Sequence, residues 1–255
     1  MIILKDIRGG FQMTIELLTS HASVRKYKNE VLSKDDVQKL IHAGQHASTA
    51  NFVQAYSAIQ VTDPDMKEQL ATLSKNPQQI LSAGAVLVLC MDFHRIEKAA
   101  QMTNTEIDYT MAENLLLATT DVALFAQNIA IAAESQGYGI CFIGGVRNQP
   151  KEISRLLQLP AGVSPMYAMS IGVPAEANEV KPRLPIEAIY HENHYESEKY
   201  NQLIPQYDET MKEYYTNRGA NQKDTTWSQT MSNFFSTPKR PHMRAFLQGQ
   251  GFDFK

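Results

Sequence analysis

Cysteine is scarce in this sequence: Cys90 and Cys141 are the only two among 255 residues. Each lies inside an apolar run, VLVLCMD or YGICFIGG, so neither number nor spacing suits a disulfide framework or a zinc site. They read as buried thiols of a reducing compartment, and a cytoplasmic protein is expected. An excess of one charge is lacking too. Lys and Arg number 24 against 27 Asp and Glu, a net charge of −3. Nucleic-acid and membrane-surface binders need a broad basic field, and this composition excludes one. The most apolar window, Leu115 to Ala133, is interrupted by Thr119, Thr120, Asp121, Gln127 and Asn128, which argues against a membrane span. The opening MIILKDIRGGFQ holds too short an apolar run for a signal peptide. Residues 1–12 are expected to be an upstream extension and 13–255 a single domain, with translation starting at Met13. The intact mass of protein made from the native upstream DNA tests this, and a product beginning at Met1 or Ile2 rejects it.

Familiar catalytic signatures are also missing. There is no Ser-His-Asp order, nucleophile elbow, G-x-G-x-x-G or Walker loop. His42 and His46 are spaced as zinc ligands on a helix, but the glutamate base expected between them is absent. His191-Glu192-Asn193-His194 has no matching ligand cluster, so no metal is expected. What the chain does have is local positive charge. His21-Ala22-Ser23-Val24-Arg25-Lys26-Tyr27 packs three basic side chains into seven residues, and Lys181-Pro182-Arg183 flanks a stiffening proline with two cations. Both suit a small anion. Gly144-Gly145 follows an apolar strand and would let a ligand approach the backbone. Ser48 and Thr49 sit just past a helix end. Taken singly, each of these reads first as a turn or a solvated loop. Together, anion-holding spots without a nucleophile suit an enzyme whose cofactor performs the reaction.

Hydrophobic spacing supplies the scaffold. Ser33-Lys34-Asp35-Asp36 resembles a capping box, and Val37, Leu40, Ile41 and Gly44 follow at helical spacing. Residues 55–62 alternate as a strand, and Asp63-Pro64 opens a helix striped by Met66, Leu70 and Leu73. The continuous apolar run 84–92 predicts a strand covered on both faces. A helix is expected from about 106 to 136, apolar on nearly every side between 115 and 133 and so enclosed by other elements or a second subunit. Strands at 140–145 and 165–174 and a helix at about 150–158 complete an α+β core. From about 190 to 255 the chain turns polar and tyrosine-rich, with helical spacing at Ile204, Tyr207, Met211 and Tyr214, and reads as a helical arm or lid.

In their order, TIELLTSHASVRKY, STANFVQAYS, ENLLLATTDVALFAQNIAIAAESQGYGICFIGGVRN, KPRLPIEAIYHENHY and TWSQT resemble the oxygen-insensitive NAD(P)H nitroreductase and FMN reductase family, A-type branch. The resemblance runs from about Thr14 to the C-terminal end. It implies an α+β flavoprotein with a mixed central sheet wrapped by helices, a homodimer whose core is the long apolar helix, and FMN at the subunit interface. His21, Ser23 and Arg25 match its first flavin motif, and Lys181 and Arg183 its second phosphate-holding cluster. Ser48, Thr49, Ala50 and Asn51 fall near the ribityl chain and ring edge, and Ile143, Gly144 and Gly145 on the strand end whose amides face the ring. A flavin-contacting glutamine corresponds to Gln78 or Gln79. Arg218, Lys223 and Arg240 match positions associated with NADPH, although Asp224 beside Lys223 leaves NADH and NADPH both open as donors. Ala22 departs from the arginine common in the family. The implied activity is two-electron, ping-pong reduction of nitroaromatics, quinones or flavins, with no protein side chain as nucleophile. Supply of reduced flavin to a partner monooxygenase and non-catalytic flavin binding are the competing readings.

Overall fold

Eight consecutive buried residues, Ala85–Asp92, form the strand around which the rest is built. The computed structural model describes residues 7–219 and 222–254, with side chains from residue 13 onward. Two compact units result: one holds the chain up to Asn178 and from His242 onward, the other is Glu179–Pro241.

In the first unit, α1 (Ile7–Thr19) and α2 (Lys34–Gln45) precede β1 (Tyr56–Gln60), α3 (Pro64–Ser74), α4 (Pro77–Leu81) and β2 (Ala85–Asp92). Then come α5 (His94–Met102), α6 (Ala112–Ser135), β3 (Gly139–Ile143), α7 (Pro150–Leu156) and β4 (Val163–Gly172). Of the supposed upstream extension, residues 1–6 lie outside the described residues, while 7–12 continue α1 as helical backbone. Ser33 caps α2 by accepting from the Asp36 N–H at 3.1 Å, and Asp63 caps α3 by accepting from Met66 N–H at 2.8 Å. Both caps stand where the sequence placed them.

The strands lie in the order β1-β2-β4-β3. All three pairings are antiparallel, where a mixed sheet had been expected from the resemblance. Successive β2 residues alternate between two cores. Leu87, Leu89 and Met91 join Phe125, Ile129, Met169 and Ile171 on one face, while Val86, Val88 and Cys90 join Leu70, Ile80 and Ile153 on the other. That is why the run from Ala85 to Met91 is apolar at every position. Each such side chain removed from water contributes about 1.5–3 kcal/mol.

α6 buries Ala118, Asp121, Val122, Phe125, Ala126, Ile129, Ala130 and Ala133, a stripe of helical period, against the first of these cores. It starts at Ala112, not near 106. Asp108 turns the chain instead, its carboxylate accepting from the Thr110 N–H at 2.8 Å and hydroxyl at 2.6 Å. The helix is long and apolar enough by composition to cross a membrane. Its buried stripe is nevertheless committed to the core, and Asp121 to backbone bonds. Leu116 and Leu124 remain exposed on its other side.

In the second unit, α8 (Tyr200–Asn217) and α9 (Trp227–Phe235) pack through Tyr207, Met211, Tyr215 and Trp227. Tyr215 is the buried member of the stripe where Tyr214 was expected; Tyr214 is half-buried beside it. Thr226 and Gln229 form a reciprocal capping box that starts α9. The chain then returns to the first unit as α10 (Met243–Gly249), behind which Phe252 is buried against Phe93 and Tyr109.

Candidate functional site

The HASVRKY segment leaves α1 and lies alongside β3 and the chain that follows β4. Val24 N–H donates to the Ile140 carbonyl at 2.9 Å, Lys28 N–H to Val173 at 3.0 Å, and Tyr27 bridges Pro174. Buried Val24 and Tyr27 are its anchors, so Arg25 between them points outward and is exposed. Among the described residues no carboxylate comes within ion-pair distance of its guanidinium, which donates to the Ser23 carbonyl at 3.4 Å. His21 Nδ1 lies 2.5 Å from Glu134 Oε1, near the end of α6. Glu176 accepts from Arg25 N–H at 3.1 Å, and Asn178 donates to the Ser23 carbonyl at 3.0 Å. Burial opposes the charge on Glu176, but the Asn178 amide, the Arg25 N–H and the charges of Lys26 and Arg25 outweigh it and hold its pKa below the ordinary carboxylate value.

β3 connects this segment to the paired glycines. Its start, at Ile140, faces Val24, and its end runs into a 3-10 turn, Gly144–Arg147. At about 3.3 Å per residue, four residues of strand separate the two by roughly 13 Å. The first N–H groups of such a turn have no acceptor within it. Gly145 is required by packing: a Cβ there would meet the Ser74 carbonyl at 2.2 Å and Asn76 Nδ2 at 2.3 Å. Gly144 is half-buried, and a Cβ on it would meet only Arg147, at 3.1 Å.

Ser48–Asn51 leads from α2 into a short 3-10 turn, Ala50–Phe52. Ser48, Ala50 and Asn51 are exposed, whereas Thr49 Oγ1 is buried with no hydrogen-bond partner. An orphaned hydroxyl is uncommon and costs on the order of 1–3 kcal/mol, so its presence in this segment favours a ligand that uses it. Asp121 of α6 accepts from Ala50 N–H and Ala55 N–H, both at 3.1 Å. Gln78, on α4, is exposed and Gln79 half-buried.

Within the second unit, Lys181 and Arg218 converge on one ring. Lys181 Nζ lies 5.3 Å and Arg218 Cζ 5.1 Å from the Tyr215 centroid. Tyr207 donates to the Pro182 carbonyl at 2.9 Å and Arg183 to the Lys181 carbonyl at 3.0 Å, fastening Lys181–Arg183 beside α8. Arg218 Nε is buried without a partner. Lys223 approaches the same place through its backbone, its N–H donating to the Tyr215 carbonyl at 3.2 Å. Arg240, one residue before the unit ends, takes a left-handed conformation, φ 50°. Among the described residues no group of three or more metal-ligating side chains is gathered, and His191 is bonded to Tyr200 Oη and accepts from the Glu196 N–H.

The sequence alone did not single out Glu134, Glu176, Asn178 or Asp121 as part of this arrangement. Only Asp121 carried a signal, as an acid on an otherwise apolar helix face.

A model of the nitroreductase family matches residues 18–173, and one of the nitroreductase family C-terminal domain matches residues 181–255. A Cr(VI) reductase of Pseudomonas sp. (strain G-1) is 49% identical over 243 residues, covering 95% of this chain and all of that protein. An FMN reductase (NADPH) of Bacillus subtilis (strain 168) is 35% identical over 244 residues, covering 94% and 98%. The solved structure of Bacillus megaterium NfrA1 superposes with a TM-score of 0.91 at 39% identity, covering 94% of this chain and 99% of that one. With both modules matched in order along nearly its whole length, this chain belongs to the nitroreductase family.

Proposed function

We propose that the protein is an FMN-containing oxidoreductase that takes electrons from NADPH or NADH and passes them in pairs to small acceptors. The observation carrying this reading is the exposed, carboxylate-free Arg25 guanidinium, set beside His21 and Ser23 in a chain of this family. The donor set fits FMN. Positive groups suit a phosphate at one end of β3, the backbone of the Gly144–Gly145 turn suits the polar edge of a ring at the other, and Thr49 Oγ1 lacks a partner. His21, Ser23, Arg25, Lys181 and Arg183 would hold the phosphate and polar edge, and Ser48–Asn51 the ribityl chain. Gln78 or Gln79 would contact the ring, and amides at Ile143, Gly144 and Gly145 would favour the negative charge that reduction places there. Arg218, Lys223 and Arg240 would receive the anionic part of the nicotinamide donor. When bound, FMN supplies hydride acceptance and two-electron donation. The side chains bind and orient donor and acceptor in turn, and none acts as a nucleophile.

Nitroaromatics, quinones and free flavins are the proposed acceptors, in a homodimer with its sites at the subunit interface; the name of the Pseudomonas relative adds chromate. A second reading, supply of reduced flavin to another enzyme, is favoured by the name of the B. subtilis relative. Purification followed by an absorbance spectrum, then anaerobic titration with NADPH and NADH separately, tests the proposal. A yellow protein bleached by one or both donors is expected; a colourless FMN-supplemented dimer overturns it. Steady-state rates with free FMN against nitrofurazone or a quinone separate the two readings.

A further inference from the structure

The segment between Thr49 and Tyr56 runs against its own conformational preferences. Asn51, Phe52 and Gln54 take φ of 47°, 59° and 55°, the left-handed region that a Cβ disfavours. Phe52 is 81% exposed, so burial of its ring does not hold the shape. Two charged side chains from other elements do. Asp121, fully buried on α6, uses one carboxylate oxygen for the Ala50 N–H and the other for the Ala55 N–H, each at 3.1 Å. Arg95, on α5, donates to the carbonyls of Gln54 at 3.3 Å and Tyr56 at 2.8 Å. Arg95 is fixed in turn by Asp92 at 3.0 Å and by the Ser57 hydroxyl at 2.6 Å. Backbone bonds from the Val53 N–H to Ala50 at 2.9 Å and from the Tyr56 N–H to Gln54 at 2.8 Å lie inside the segment. Asp121 takes two further donors and Arg95 two carbonyls, so charged groups from other elements complete what local bonding leaves.

Stability alone is a poor reason for this arrangement. An ordinary turn over an apolar residue at 121 would avoid both the buried charge and the left-handed backbone. Strain of this kind persists where surrounding contacts over-determine it, and here those contacts converge beside the orphaned Thr49 hydroxyl. We propose that Asp121, assisted by Arg95, is a positioning residue that holds Thr49–Phe52 in its ligand-ready shape before FMN arrives. The inference rests on the reading of Ser48–Asn51 as a flavin-binding segment. Its benefit is preorganisation: a loop ordered in advance is not ordered at the expense of binding.

Asp121→Asn tests it. The substitution keeps the volume but leaves one acceptor oxygen for two N–H groups and turns an NH2 toward the second. In the apoprotein the amides of Ala50 and Ala55 are expected to lose hydrogen-exchange protection. FMN Kd is expected to rise about ten- to a hundredfold, the loss of one or two charge-assisted bonds. The visible circular dichroism of the bound flavin should change while the far-ultraviolet spectrum does not, a signature that uniform loss of stability would not produce. Arg95→Gln, at a side chain 54% exposed, should fold in any case and raise FMN Kd several-fold. Wild-type FMN affinity and flavin dichroism in folded Asp121→Asn overturn the inference and leave the flavin reading standing. If Asp121→Asn does not fold, wild-type affinity in Arg95→Gln overturns it instead. Wild-type apoprotein that takes up no FMN overturns the flavin reading itself, and the inference with it.

Discussion

Arg25 is held by its neighbours' backbone, not by its own charge. Val24 and Tyr27 anchor the segment from either side, Glu176 takes the Arg25 N–H, and the guanidinium is left facing outward. Removing that guanidinium therefore disturbs little else. Arg25→Ala is expected to weaken FMN retention by about 1–3 kcal/mol, the worth of a charge-assisted bond to phosphate, with no loss of thermal stability in the apoprotein. Flavin occupancy after dialysis measures it, and unchanged occupancy counts against the phosphate assignment. Tyr109 gives a second residue-scale test, at alkaline pH. Burial, reinforced by the nearby Glu97 carboxylate, pushes its pKa up to about 12 from 10.0. Across that interval the unfolded chain gives up a proton that the folded chain keeps, so stability falls as pH rises. Tyr109→Phe preserves the stack on Phe93, centroids 4.9 Å apart, and removes the ionisable group. The variant should lose less stability than wild type between pH 10 and 12 when unfolding is followed in urea.

At the scale of elements, α2 packs closely against α6 through Gly44. A Cβ on Gly44 would sit 2.6 Å from Ile129 Cγ1 and 2.7 Å from Phe125 Cε2, both side chains fully buried and unable to move aside. Gly44→Ala gains up to about 1 kcal/mol of helix propensity. Overpacking costs about 1–3 kcal/mol, and with two core side chains displaced the cost prevails. A lower urea midpoint with unchanged denaturant slope is the expected result. Gly44 was legible in the sequence as a member of the α2 stripe, as were the capping serine and aspartate, the apolar run of β2 and the Gly-Gly turn after β3. These follow from periodicity and local hydrogen bonding, which a sequence displays directly. The start of α6 was not, because Asp108 diverts the chain with a side-chain bond that leaves no periodic trace. Nor were Glu134 and Glu176, which reach the HASVRKY segment from 113 and 151 residues away. Contacts made by folding alone have no spacing to read.

The whole molecule presents apolar surface that one chain does not cover. α1 and α6 pack together yet leave Ile15, Leu18, Leu116 and Leu124 exposed, and Leu116, in the second turn of α6, is 63% exposed. A second copy of the chain is the proposed cover, which places the long helix at the core of a dimer. Leu116→Lys separates this from a merely tolerated surface leucine. In an isolated chain the new ammonium would remain in water and cost within about 0.5 kcal/mol. Inside a dimer core it would be buried without a partner, at about 2–5 kcal/mol, and twice per dimer because symmetry repeats the substitution. The variant should elute as a monomer at micromolar concentration and retain its far-ultraviolet spectrum. If the sites are completed across the subunit interface, it should also purify largely colourless and regain little flavin when FMN is added. A dimer that stays intact and yellow would move the interface off this helix face; a monomer that stays yellow would show that one chain suffices to hold the cofactor.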